Sequence, residues 1–172
     1  MTHPQPTGIE RFFEEEEIIV SKTDLKGLIT YANKVFVQIS GYSEEELLGQ
    51  PHSIIRHPDM PGSVFRLLWE TIASGQEIFA YVNNMSKSGD HYWVFAHVTP
   101  TFGAAGEIVG YHSNRRVPER KAVSAVENLY RDVLAEEQKY QNRVEAVDAG
   151  LRVLTAAVAK SGVPYEEFVF SV

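Results

Sequence analysis

The sequence predicts an α+β fold: a five-stranded antiparallel sheet with short helices on one face, followed by a C-terminal helical or coiled-coil extension. Three observations lead there. Two strand-like runs near the N-terminus flank the turn Asp24-Leu25-Lys26-Gly27. Three more follow residue 76, separated by Ser88-Gly89-Asp90 and by Gly103 to Gly106. Between the two sets the apolar residues recur at helical spacing. A meander of tightly turned strands that cradles the helices is the economical arrangement.

In chain order, residues 1–17 are expected as an N-terminal cap. Its first eight residues bear Pro and Gly, Ile9 to Glu17 is expected as a short helix, and Glu14 to Glu17 is a solvated acidic run. The main domain is expected over 18–117. Ile18-Ile19-Val20 opens its first strand and Leu28 to Tyr31 forms the second, both rich in β-branched or aromatic residues. From Asn33 the period turns helical: Val35, Phe36 and Ile39 share a face, and Gly41 stops the helix. Ser43 followed by Glu46 is a capping-box pattern for a second short helix through Leu48. Val64, Phe65, Leu68, Trp69 and Ile72 mark a third, closed by Gly75. Gln76 to Met85, His91 to Thr101 and Glu107 to Arg115 are the remaining strands.

Beyond Pro118, apolar residues step by 4 and 3 from Val126 through Tyr130, Val133, Tyr140 and Val144 to Val158, with Glu137 the polar member and Gly150 a weak point. That register favours a long helix or two stacked helices at 118–160 used for dimerisation over a hairpin folded back on the sheet. The aromatic tail, 161–172, is expected to dock.

Composition narrows the function. The chain has 172 residues, 44% of them hydrophobic, enough for one domain with a core and an appendage. A net charge of −7 disfavours nucleic acid and anionic membrane surfaces as partners. The absence of cysteine removes disulfides, thiolate zinc sites, iron–sulfur clusters and flavin–cysteine photochemistry. No apolar run approaches the roughly 18 residues of a membrane span, and Met1 to Gly8 has no signal-peptide character, so a soluble, cytoplasmic protein is expected.

The motifs are more specific. Tyr31-Ala32-Asn33, Gly41-Tyr42-Ser43, Gly49-Gln50-Pro51-His52, Arg56-His57-Pro58-Asp59-Met60-Pro61 and Gly89-Asp90-His91-Tyr92-Trp93-Val94 follow one another in order. Over about Ser21 to Ala135 the chain resembles a PAS domain, and within that superfamily the flavin-binding sensor domain of bacterial aerotaxis receptors. The resemblance implies non-covalently bound FAD and places the cofactor-critical positions at Asn33, Arg56, His57, Asp59, Phe65, Trp69 and Asn84. Their chemistry suits the task. Trp69 and Phe65 offer apolar walls, Asn84 carries both a donor and an acceptor for the pyrimidine edge, and Arg56 or His57 can respond to charge near N1 and N5. No Gly-x-Gly-x-x-Gly fingerprint is present, which excludes a Rossmann-type site.

The chain departs from the compared pattern at Ile78, where a Trp is matched, and at Met85, where an Arg is matched. A bland reading stands beside several of the site residues, a lone histidine such as His57 being usually structural. Arg56 and Asp59, three apart, suit a structural ion pair, and Trp69 on an amphipathic helix suits a core position. The expectation is a redox or oxygen sensor rather than an enzyme, a homodimer that signals in trans to a separate methyl-accepting chemotaxis transducer. The alternatives are a haem b gas sensor, ligated through His52 or His57, and a cofactor-free dimerisation module.

Overall fold

The computed structural model describes residues 4–172, so residues 1–3 of the expected cap lie outside the described residues. Five strands, β1 (Ile19–Thr23), β2 (Ile29–Ala32), β3 (Ile78–Met85), β4 (His91–Phe102) and β5 (Ile108–Arg116), form one antiparallel sheet in the order β2-β1-β5-β4-β3. Helices α1 (Lys34–Ser40), α2 (Glu44–Leu47) and α3 (Gly62–Ala73), with a 3-10 turn at His52–Ile55, connect β2 to β3. Then come α4 (Arg120–Glu137), α5 (Arg143–Ser161) and α6 (Tyr165–Ser171).

Local chemistry sets the short helices. Asn33 caps α1 by accepting from Phe36 N, and Gly41 ends it in the left-handed conformation at φ 72°, where a side chain would be strained. The Ser43–Glu46 capping box forms both of its reciprocal bonds.

Strand alternation aims Ile78, Ala80, Val82 and Asn84 at the same face as Tyr92, Val94, Ala96 and Val98, because Asn84 pairs with Tyr92 and Ile78 with Val98. Arg115 and Ser113 join that face, opposite Ala96 and Val98. The other face carries Phe79, Tyr81, Trp93 and Phe95. The α4 helix crosses it, with the Tyr130 hydroxyl donating to Tyr81 O at 2.8 Å and its ring 6.3 Å from that of Trp93. The α6 helix covers the β3 edge, where Tyr165 donates to Phe79 O at 2.9 Å and Phe170 packs edge-on to Phe79 and Phe95. A sheet apolar on both faces is thereby covered on both.

Two expectations change. Residues 9–17 form no helix: Arg11 N donates to His91 O at 2.7 Å, His91 N donates to Ile9 O at 2.9 Å, and Arg11 pairs with Asp90. These bonds to the start of β4 satisfy the backbone in an extended form, whereas four consecutive glutamates would repel along a helix. The second concerns the register from Val126 to Val158, which is not one helix. The chain breaks at 138–142, and α5 packs back on both α4 and α3. Asn142 starts the new helix, its Oδ1 accepting from Val144 N and Glu145 N. Tyr140 and Val144, assigned to the seam, are exposed at the hairpin tip. Among the described residues no helix is long and apolar enough to cross a membrane.

Candidate functional site

A cavity of about 310 Å³ lies between the inner face of the sheet and α3, at the low end of the ~300–1,000 Å³ typical of small-molecule sites. From α3 come Phe65, Leu68, Trp69 and Ile72, one stripe at helical spacing; from the sheet come Val82, Ala96 and Val98. Polar side chains make up much of the rest of this lining, among them Lys26, Arg56, Asn84, His52, His112 and Arg115.

Of the seven positions singled out from the sequence, four meet here: Arg56, Phe65, Trp69 and Asn84. Trp69 is 37% exposed and stands edge-on to Tyr111 at 5.5 Å. A Cβ at Gly27, whose φ is +79°, would lie 2.9 Å from the indole, so the glycine lets the β1–β2 turn close against Trp69. A half-exposed tryptophan beside a cavity is a wall, not a core residue. The Arg56 guanidinium lies 4.3 Å from the Phe65 ring centre and donates to Met60 O at 3.0 Å, while its main chain bridges that of Asn84. Burial lowers its pKa, Arg143 adds to this, and Glu137 opposes it. Asn84 is 3% exposed and aimed into the cavity.

The other three are absent from the lining. Asn33 Oδ1 accepts from Val20 N and Phe36 N, and its Nδ2 donates to Ile18 O, which ties α1 to β1. His57 Nδ1 accepts from Asp59 N at 3.1 Å, and Met60 N closes the turn onto His57 O. Burial lowers the His57 pKa, with Asp59 opposing. The Asp59 side chain is exposed. Arg56 turns to Met60 O rather than to Asp59, so the expected ion pair gives way to a main-chain contact. His57 and Asp59 shape the turn next to Arg56, and Asn33 anchors α1 to β1. At the departures from the family pattern, Ile78 and Met85 are buried side chains, and Phe79 faces the opposite side of the sheet, stacked on His97 at 4.1 Å.

One polar cluster in the lining was not singled out from the sequence. Arg115 is 2% exposed; its Nη2 donates to Ser21 Oγ at 2.6 Å, and Ser21 Oγ lies 3.0 Å from His52 Nε2. Its Nε and Nη1, and the Tyr92 hydroxyl, are buried without partners. Burial, then the Arg115 charge, pull His52 down to about 3, so it is neutral at neutral pH. Burial brings Arg115 itself down to about 10, still a cation. Period-two alternation from Tyr111 through Ser113 carried the signal: an arginine on the inward face of a buried strand needs a partner.

This lining fits a flavin. Apolar planes, a side-chain amide and a buried guanidinium with unmatched N–H donors line one cavity, and a ring with carbonyl and ring-nitrogen acceptors answers them. Trp69 and Phe65 would flank the ring, and Asn84, Arg56 and Arg115 would meet its polar edges. Haem is served less well: His52 Nε2 is engaged by Ser21, and His57 is outside the lining.

The family described as "PAS fold" matches residues 29–115. The chain is 42% identical over 130 residues to the aerotaxis receptor of Escherichia coli (strain K12), covering 76% of this chain and 26% of that protein. It is 27% identical over 158 residues to the nitrogen fixation regulatory protein of Klebsiella pneumoniae, covering 92% and 30%. It thus spans between a quarter and a third of the length of these relatives. The dark structure of the blue-light photoreceptor Aureochrome1 LOV superposes with a TM-score of 0.59 at 20% identity, over 64% of this chain and 82% of that one, a likeness of fold. A PAS domain of a protein from Colwellia psychrerythraea gives 0.51 at 26% identity, over 59% and 86%.

Proposed function

The chain belongs to the PAS fold family, and from that premise we propose that it is a redox sensor that binds FAD non-covalently and signals in trans to a methyl-accepting chemotaxis transducer. The observation that carries this reading is the cavity itself, where the α3 stripe of Phe65 and Trp69 faces Asn84 across a space also lined by Arg56. The likeness to an aerotaxis receptor supports the chemotaxis output. Bound flavin supplies reversible electron storage. The chain's own part is to exclude water with Trp69 and Phe65, to orient the ring through Asn84, and to place Arg56 where a change of charge is felt. Asn33, His57 and Asp59 act at one remove, by holding α1 and the Arg56 turn in place.

A signalling module, not an enzyme, is the reading adopted, in a cytoplasmic setting. Residues 18–117 are its sensor unit, and 118–160 with the tail are its output. Homodimerisation belongs to the same proposal, with the exposed Tyr140 and Val144 of the hairpin tip as the apolar surface offered to a second copy.

The test is an absorption spectrum of the freshly purified protein before and after dithionite. Paired bands near about 375 and 450 nm that bleach on reduction, with FAD rather than FMN released on denaturation, support the reading. A sharp band near about 400–430 nm replaces it with haem. A colourless protein that takes up no added FAD overturns it, and steady turnover of reduced nicotinamide makes the protein a flavoenzyme.

A further inference from the structure

Among the described residues, Arg115 is the side chain with two buried nitrogens, Nε and Nη1, that have no partner. A buried charge normally has a counter-ion, and both its absence and each unmatched donor are costly. None of its neighbours is an anion. Ser21 takes Nη2, the Phe36 ring centre lies 4.5 Å from the guanidinium carbon, and no carboxylate pairs with it among the described residues.

Lys26, exposed, and Arg56, partly buried, also line the cavity, and Arg115 is the cation at its buried end. His52, on the 3-10 turn, is neutral. His112, on β5, is lowered by burial first and then by Lys22, His97 and Arg115. Tyr92, on β4, is pushed well up by burial and stays a phenol. Arg115 lines the same cavity as Trp69 and Asn84, but at a fully buried point.

We propose that Arg115 is a ligand-holding cation at the buried end of the cavity: its unmatched N–H groups take the N1–C2=O edge of the flavin ring and favour the reduced ring as its N1 anion. The inference rests on the flavin reading above. A ring edge answers the observations better than a phosphate does, because a multiply charged phosphate belongs where water reaches it, and Arg115 lies at the buried end of the cavity. Two-electron reduction, with dithionite as donor, then adds two electrons and one proton, the proton going to N5 from solvent while N1 keeps the negative charge. Charge gained at N1 is met by a fixed positive charge, so reduction is favoured.

The experiment is the pH dependence of the midpoint potential of the flavin-loaded full chain, beside free FAD, at mildly acidic pH where free reduced flavin is protonated at N1. One proton per two electrons changes the equilibrium constant tenfold per pH unit, a slope of about 30 mV. Two protons give a hundredfold change, about 59 mV, and that slope in the wild-type protein overturns the proposal. Arg115→Gln is expected to shift the slope towards that of free FAD, lower the potential, and weaken riboflavin and FAD by the same factor. Weakened FAD with unchanged riboflavin binding would assign Arg115 to the phosphates and overturn the proposal. An unfolded variant leaves the wild-type slope to decide. A wild-type chain that binds neither flavin defeats the flavin reading itself, and this inference with it.

Discussion

Glu137 in the last turn of α4 accepts from Gly62 N and Ser63 N at the head of α3, both at 2.8 Å. Pro61, the N-cap of α3, makes no side-chain capping bond, so a carboxylate about 75 residues away in sequence does the capping. The α3 helix carries Phe65 and Trp69, so the C-terminal hairpin grips the helix that walls the cavity. Gly150 permits this closeness: a Cβ there would lie 2.5 Å from Glu137 Oε1 and 2.9 Å from Ser63 Oγ. Glu137→Ala is expected to cost about 2–3 kcal/mol, since two buried charge-assisted bonds are lost. Glu137→Gln should cost less, and Gly150→Ala about 1–3 kcal/mol by overpacking. Urea melts measure the losses, and faster proteolysis within 138–142 would report the released hairpin.

Trp69 separates a ligand wall from a core residue. Trp69→Ala is expected to cost about 1 kcal/mol of stability, well below the roughly 3–5 of a buried aromatic, because the side chain is half-exposed. Flavin affinity should fall at least about tenfold, the equivalent of 1.4 kcal/mol of lost stacking and burial. Fluorescence titration with FAD and a parallel urea melt give both numbers. A large stability loss with unchanged affinity would return Trp69 to the core.

Asn33 predicts the reverse. With three bonds tying α1 to β1, Asn33→Ala should cost about 2 kcal/mol. Affinity of the folded fraction for FAD should stay within about threefold, because the side chain is outside the lining. Equal loss on both scales would place Asn33 in contact with the ligand.

Acid sensitivity follows from His52. Its pKa falls from 6.5 unfolded to about 3 folded, so between those values the unfolded chain binds a proton that the folded chain does not. Stability of the flavin-free protein is therefore full above about pH 6.5 and declines below it, by up to about 1.4 kcal/mol per pH unit. His57 and His112, also lowered by burial, act in the same direction. Urea melts at pH 7.5 and 5.5 should show the decline, and His52→Asn should flatten it.

Ordered motifs and local periodicity determined the domain. The five strands fall within about two residues of their expected bounds, the Ser43–Glu46 box forms, and Arg56, Phe65, Trp69 and Asn84 meet in one cavity, because turn chemistry and side-chain period act over a few residues. Asn142 with Glu145 three residues on was a legible helix start, outweighed by the apolar register running through it.

Other features depend on groups far apart in the chain. The extended course of residues 9–11 is set by the backbone of β4, the fold of the hairpin by Glu137 meeting Gly62 and Ser63, and the isolation of Arg115 by strands β1 and β4 closing on both sides. Spacing along a sequence records which face a residue is on. It does not record which partner arrives there, and for a buried cation or an uncapped helix the partner decides the energy.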